Sequence, residues 1–590
     1  MTGRQRGPAT PPLATKPPAR RRKAVVVLVE PAAGFRRSTV HERDLAGTGF
    51  EDDNRLEVLL CRRQRSFVAG GDRVRAVRDD VAMVLHTSAG SSGRRTRRWP
   101  EDPQATGLFI ARAPLRQMVV MIDAHLTYPE LPGPAGLGTA VVDIAAEKRR
   151  HLAMLLRHQL IDFHLYADEG PPPGTISDSR STSILVYPGW VYVLNPLPAA
   201  ARLTSSGSAV HATEDGWSLS GFMGNAADIA LGDTRTGAYA DMDTVEAALQ
   251  RRRDVVAAQV ADQALKADLF VTARPYLLAT KLGVTREAVV CSVEEALALV
   301  GLYLRTQGEY LLDDHSRYGR GLYFWVAARA LLPAGWRWFS ACVQHSSGGG
   351  DLIGLGESAL RRVTRALMVR DSVHVRLCRP QDHDVAEEGL ADLDEVCVLL
   401  MGALDAAARV AHRALGLSPG GEFGAGWQKT KSGGWLDQVG AVEPDLQARV
   451  ATGTDGQYVL TVLRLLRNTV HGAALRSLQS QSSGKPSETL VIVPDGERAE
   501  IKTALEALGG AEGWGGRTLA GALVFEPGVV VDRLCQAVIP LLDDVMRLTP
   551  VERLAHVVLG PEDYLPLADD SVFDAVRSAR ILWQLGLRPA

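Results

Sequence analysis

The 590-residue chain has no apolar run near the roughly 18 residues that a membrane-spanning helix requires. No segment therefore reads as a helical membrane span. Its six cysteines stand at 61, 291, 342, 378, 397 and 535, with no C-x-x-C pair and no His at zinc-ligand spacing. They read as free, buried thiols in a reducing compartment, not as a disulfide frame or a zinc knuckle. A charge excess is missing too. Lys and Arg number 66 against 68 Asp and Glu, for a formal net charge of −2. This excludes nucleic-acid binding over the whole surface and leaves room for a local basic site. Lysine is scarce, and the arginine bias is read as compositional. The glycine-rich stretch Ser346-Ser347-Gly348-Gly349-Gly350-Asp351 lacks the Lys-Ser/Thr ending of a P-loop. No internal repeat is visible, and nothing indicates a cofactor. Ala24 to Val29 follows a basic run but is shorter than a signal-peptide core. The expected location is cytoplasmic, with no membrane partner.

What is present suits several globular cores: 46% hydrophobic and 23% charged residues. At about 150 residues per domain, three to four domains are expected. Residues 1–35 read as a disordered basic tail and 36–115 as a small mixed α/β segment. Residues 116–306 read as an α/β domain. Strands are predicted at Met118 to Asp123, Ile184 to Leu194, Asp268 to Thr272 and Ala288 to Cys291. Helices are predicted at about 139–165, 243–266 and 293–305. Strands alternating with helices imply a parallel sheet. Residues 307–382 read as a connecting region, and 383–590 as a helical bundle with a small β insertion near 488–531. In the bundle, Leu393, Val396, Cys397, Leu400, Leu404, Ala408, Ala411 and Leu415 step at helical spacing. Ser418-Pro419-Gly420-Gly421 then stops that helix. A second bundle helix is predicted over about 456–478.

That second helix carries the residues best suited to chemistry. Val459, Leu463, Leu466, Val470 and Ala474 make its apolar stripe. Arg464, Arg467 and His471 fall three and four residues apart on a neighbouring face, with Asn468 beside them. Such a set suits cleavage of an RNA phosphodiester without metal. An imidazole moves protons near neutral pH. Guanidiniums grip phosphate and stabilise charge growing on it.

The run Leu465-Leu466-Arg467-Asn468-Thr469-Val470-His471-Gly472 resembles the motif helix of the HEPN family. The resemblance covers roughly 383–590. It implies a helical bundle that dimerises and, in many members, a metal-independent RNase. The family places four to six residues between its Arg and His. Arg467 to His471 leaves three, and Arg464 to His471 leaves six. Arg464, Arg467, Asn468 and His471 are the expected catalytic residues, with RNA and a homodimer mate as partners.

A second resemblance lies in Arg253-Asp254-Val255-Val256 and Ala267-Asp268-Leu269-Phe270-Val271-Thr272, which look like the C-terminal half of a PIN-like domain. A Rossmann-like α/β domain is the alternative reading. The PIN family is a set of α/β nucleases that hold divalent metal on clustered carboxylates. Asp123, at a strand end, and Asp254, near a helix start, match that family's metal positions. The place of a further acid is taken by Arg274, whose guanidinium would repel a metal ion. The chain as a whole is expected to be a HEPN-type endoribonuclease, suited to bacterial stress or phage defence. The alternatives are a binding scaffold with inactive HEPN-like and PIN-like domains, and a metal-dependent nuclease in the middle domain.

Overall fold

The computed structural model describes residues 116–123, 126, 144–167, 190–193, 207–213, 216–222, 244–279, 288–312, 318–378, 382–428, 433–470, 472, 474–480, 488–563 and 575–587. The chain divides into two compact units, 1–74 and 75–590. The tail and the small mixed segment expected before residue 116 lie outside the described residues, as does the early part of the strand expected from Ile184. The described residues all belong to the second unit.

A seven-stranded sheet has the order β5-β4-β3-β2-β1-β6-β7. Its strands are β1 (Met118–Asp123), β2 (Ile161–Ala167), β3 (Trp190–Val193), β4 (Gly207–Thr213), β5 (Gly216–Phe222), β6 (Leu269–Val271) and β7 (Val289–Cys291). β3, β2, β1, β6 and β7 run parallel, and β4–β5 is an antiparallel hairpin on the β3 edge. Side-chain alternation sorts the two faces. Val120 and Ile122 pack with helices α1 (Ile144–Leu156) and α4 (Val293–Thr306), the latter opened by a Ser292–Glu295 capping box. Val119 and Met121 face the other layer, made by α2 (Thr244–Gln259), its π-helical extension Val260–Leu265, and the short α3 (Pro275–Ala279).

One expectation is corrected here. The helix predicted over 139–165 stops at Leu156. Arg157 and His158 close it with N–H bonds to Met154 and Leu155 carbonyls at 3.2 and 3.1 Å. Residues 161–167 pair in parallel with β1 instead, and Phe163 and Leu165 enter one core while Tyr166 enters the other. The polar stretch after β3 forms the β4–β5 hairpin.

The helical part contains α5 (Arg320–Leu331), α6 (Gly335–Ser347), α7 (Ile353–Leu377), α8 (His383–Ala414), α9 (Trp435–Val442), α10 (Pro444–Ala448) and α11 (Asp455–Asn468). After α11 come β8 (Arg476–Ser480), β9 (Glu488–Ile492), α12 (Asp495–Ala507), β10 (Gly516–Leu519) and β11 (Ala522–Phe525), then α13 (Pro527–Leu548) and α14 (Ala575–Gln584). The four strands form one antiparallel sheet. One continuous core runs from Leu312 to Leu587. The region at 307–382, expected as a connector, supplies α5, α6 and α7 to that core.

The α/β part and the bundle also share one compact unit. A buried bidentate pair joins them: Arg305 of α4 bonds Asp371 of α7 at 2.6 and 2.9 Å, and a third N–H meets the Gln584 carbonyl at 2.9 Å. Burial alone would lower the Arg305 pKa, but Asp371 and Tyr323 raise it overall. The Gln584 amide donates to His151 Nε2 at 3.0 Å and to the Leu311 carbonyl at 2.9 Å. His151 of α1 is thereby read as the neutral imidazole. Burial, and then Arg580, push its pKa down to about 3.

Asp543 of α13 illustrates the opposite shift. It accepts the Ala334 N–H at 2.8 Å and has no ion pair among the described residues. Burial pushes its carboxyl up to about 6. A raised folded-state pKa means that stability is complete below the ordinary value of 3.8 and is lost as pH rises through about 6. Asp543→Asn keeps an acceptor for Ala334 and removes the charge. It is expected to stabilise the fold by roughly 1–3 kcal/mol at pH 7.5, with the gain vanishing at pH 4. Chemical denaturation at the two pH values measures it.

Candidate functional sites

The first predicted constellation sits at the C-terminal edge of the parallel sheet. Here β1 lies between β2 on one side and β6 on the other, the kind of reversal at which open α/β sheets place ligands. Asp123 ends β1, Thr272 follows β6, and Asp254 comes from α2. The structure brings Asp123, Asp254 and Arg274 together and buries all three, at 1%, 0% and 6% exposure. The Arg274 guanidinium lies between the two carboxylates. Nε and Nη2 meet Asp123, the latter at 3.3 Å, and Nη1 meets Asp254 Oδ1 at 3.1 Å. Thr272 Oγ1 donates to Asp123 Oδ2 at 2.9 Å, and the Gln250 amide donates to Asp254 Oδ1 at 2.9 Å. The Tyr166 ring lies 5.8 Å from the guanidinium.

A divalent cation does not fit this arrangement. Its charge position is filled by a fixed guanidinium, and the carboxylate oxygens are already engaged. Among the described residues no group of three His, Cys, Asp or Glu side chains could hold a metal. Charges this deeply buried are costly unless paired. Here pairing and the extra donors make the cluster a lock between β1, α2 and the β6–α3 turn.

The second constellation lies on α11. Thr454 caps its start, accepting the Gln457 N–H, and Val459, Leu460, Val462, Leu463, Leu465 and Leu466 bury one side. The helix predicted to Leu478 ends at Asn468. Thr469 follows as the C-cap, its hydroxyl donating to the Leu466 carbonyl, and β8 begins at Arg476. The chain then enters the antiparallel pairing of β8 with β9. Val470 and Ala474 therefore belong to no helical stripe. His471 lies outside the described residues.

Arg464, Arg467 and Asn468 line one cavity of about 310 Å³ between α8, α9 and α11. Arg464 is also tied to Glu500 of α12 by a short ion pair. The Arg467 side chain has no hydrogen bond or ion pair among the described residues and faces Asp405 of α8 electrostatically. Asp405 is exposed and lines the cavity. The surrounding walls raise its carboxyl above the usual range, against the pull of Arg467 and Arg362.

Trp427 and Trp435 complete the wall, edge to face at 5.1 Å and 79°. Their ring N–H groups are engaged elsewhere. Trp427 donates to the Leu404 carbonyl at 2.9 Å and Trp435 to His412 Nδ1 at 3.0 Å. His412 Nε2 in turn donates to the Ser418 carbonyl at 2.9 Å, which assigns the tautomer. Sequence reasoning missed Asp405 and the two tryptophans. The available signals were an acid inside an alanine-rich helix and two Trp flanking a glycine-rich loop.

No protein-family model, curated protein or solved structure matches the chain. The HEPN and PIN-like resemblances thus rest on the residues quoted.

Proposed function

We propose that the chain is a metal-independent endoribonuclease of HEPN type, acting through Arg467, Asn468 and His471 with Arg464 beside them. The observation that supports this reading is the shared cavity, where Arg467 projects a guanidinium without a carboxylate bonded to it. In the proposed reaction His471 takes the proton of a 2′-hydroxyl. The freed oxygen attacks the adjacent phosphorus as the P–O5′ bond breaks, the leaving 5′-oxygen takes a proton from water, and His471 returns its proton to solvent. Arg467 stabilises charge on the phosphoryl oxygens, and Asn468 orients them. The products are a 2′,3′-cyclic phosphate and a 5′-hydroxyl. Dimerisation through the helical part, and a role in bacterial stress or phage defence, follow from family analogy alone. The Asp123–Arg274–Asp254 cluster argues that the α/β part contributes no metal chemistry.

A second reading, an RNA- or protein-binding scaffold, gains from the end of α11 at Asn468, ten residues before the predicted helix end at Leu478. Incubating the full chain with single-stranded RNA in excess EDTA separates the two. The nuclease reading expects cleavage that persists in EDTA and disappears in His471→Ala. Intact RNA with the wild-type chain, or equal cutting by the variant, would contradict it.

A further inference from the structure

We infer that the α8–α9–α11 cavity is a subsite for one unstacked ribonucleotide, with phosphate on Arg467, ribose or base donors on Asp405, and the neighbouring base on Phe423. The inference rests on the reading of RNA as the ligand and adds what part of RNA the cavity takes.

Size comes first. At about 310 Å³ the cavity is at the lower end of small-molecule sites, room for a single nucleotide and not for a duplex. Charge then orders the contacts. Arg464 is already held by Glu500, whereas Arg467 has no ion pair among the described residues. A phosphate entering the cavity therefore gains most at Arg467. Asp405 stands on the facing wall and would repel an anion that offered nothing else. It rewards a ligand that brings donors along with its phosphate. A 2′-hydroxyl or an exocyclic amine meets that need, and bare inorganic phosphate does not.

The remaining wall suits a base. With both indole N–H groups satisfied on the protein side, Trp427 and Trp435 present mainly apolar surface to the cavity. At the rim, Gly424 lines the cavity and the preceding Phe423 is 89% exposed, with the Arg409 guanidinium 5.0 Å from its ring. An exposed ring backed by a guanidinium is a stacking platform for the next base of a single strand.

Titration calorimetry on the full chain tests this with adenosine 3′-monophosphate, its 2′-deoxy analogue and inorganic phosphate. The ribonucleotide is expected to bind at least tenfold more tightly than phosphate. Arg467→Met should weaken it tenfold or more. Asp405→Asn should shrink the difference between the ribose and deoxyribose ligands. Phe423→Ala should weaken a hexaribonucleotide several-fold. Melting curves confirm that each variant is folded, and the wild-type ligand series stands without any variant. Phosphate binding as tightly as the nucleotide, or nucleotide binding indifferent to Arg467→Met, overturns the inference. RNA cleavage without nucleotide binding would refute this subsite and leave the nuclease reading standing. Arg467-dependent nucleotide binding without cleavage would support the subsite and refute catalysis.

Discussion

Arg274→Ala is expected to lower the midpoint of the first thermal transition by roughly 10 °C. Removing the guanidinium leaves Asp123 and Asp254 facing each other in a region with almost no access to water. Breaking a buried ion pair from one side costs about 3–5 kcal/mol, because the surviving charge has no compensation. For a folding unit of this size each kcal/mol moves the midpoint by roughly 2–4 °C. The loss should be local in origin, loosening α2 and the β6–α3 turn from β1. Limited proteolysis should therefore cut the α/β part before the bundle. The triple change Arg274→Met, Asp123→Asn, Asp254→Asn removes all three charges and should recover much of the loss. A single Arg274→Ala variant that melts with the wild type would show that the cluster contributes little.

Arg467→Ala should reduce RNA cleavage by about 10²–10³-fold, the usual cost of removing one donor to transition-state charge. Arg464→Ala should cost less. Its guanidinium is shared with Glu500, so its loss removes general positive potential more than a dedicated phosphate contact. The ranking reverses the expectation from motif spacing, in which Arg464 stands at the family distance from His471. Single-turnover rates of the two variants decide between them. A larger loss at Arg464 would restore the spacing argument.

The sheet was legible where its strands are short, apolar and bounded. Met118 to Asp123, the core of 268–272, and 288–291 read directly as β1, β6 and β7. It was obscured where punctuation was absent. No Gly or Pro separates α1 from β2, so the apolar pattern of 144–165 ran on as one helix. The β4–β5 hairpin is rich in Gly, Ser, Ala and Thr, a composition that resembles coil. The same limit shaped the sites. Arg274, Asp123 and Asp254 were named from position, and their convergence depends on sheet order, which spacing alone does not encode. On α11 the helical repeat through Leu466 was plain, but its stop at Asn468 lies in Thr469 backbone capping, and the sequence shows no glycine until Gly472. Asp405 and Trp435 enter the cavity only through tertiary packing of α8 and α9 against α11.

Metal-independent cleavage through a 2′-hydroxyl at the α11 cavity leaves a chemical signature on the RNA. Identifying the ends of fragments made by the full chain from single-stranded RNA in excess EDTA tests it most directly. The expected products carry 2′,3′-cyclic phosphate and 5′-hydroxyl ends, with no cutting at a position whose ribose is replaced by deoxyribose. Fragments with 5′-phosphate and 3′-hydroxyl ends that require added Mg²⁺ or Mn²⁺, or no fragments at all, would contradict it.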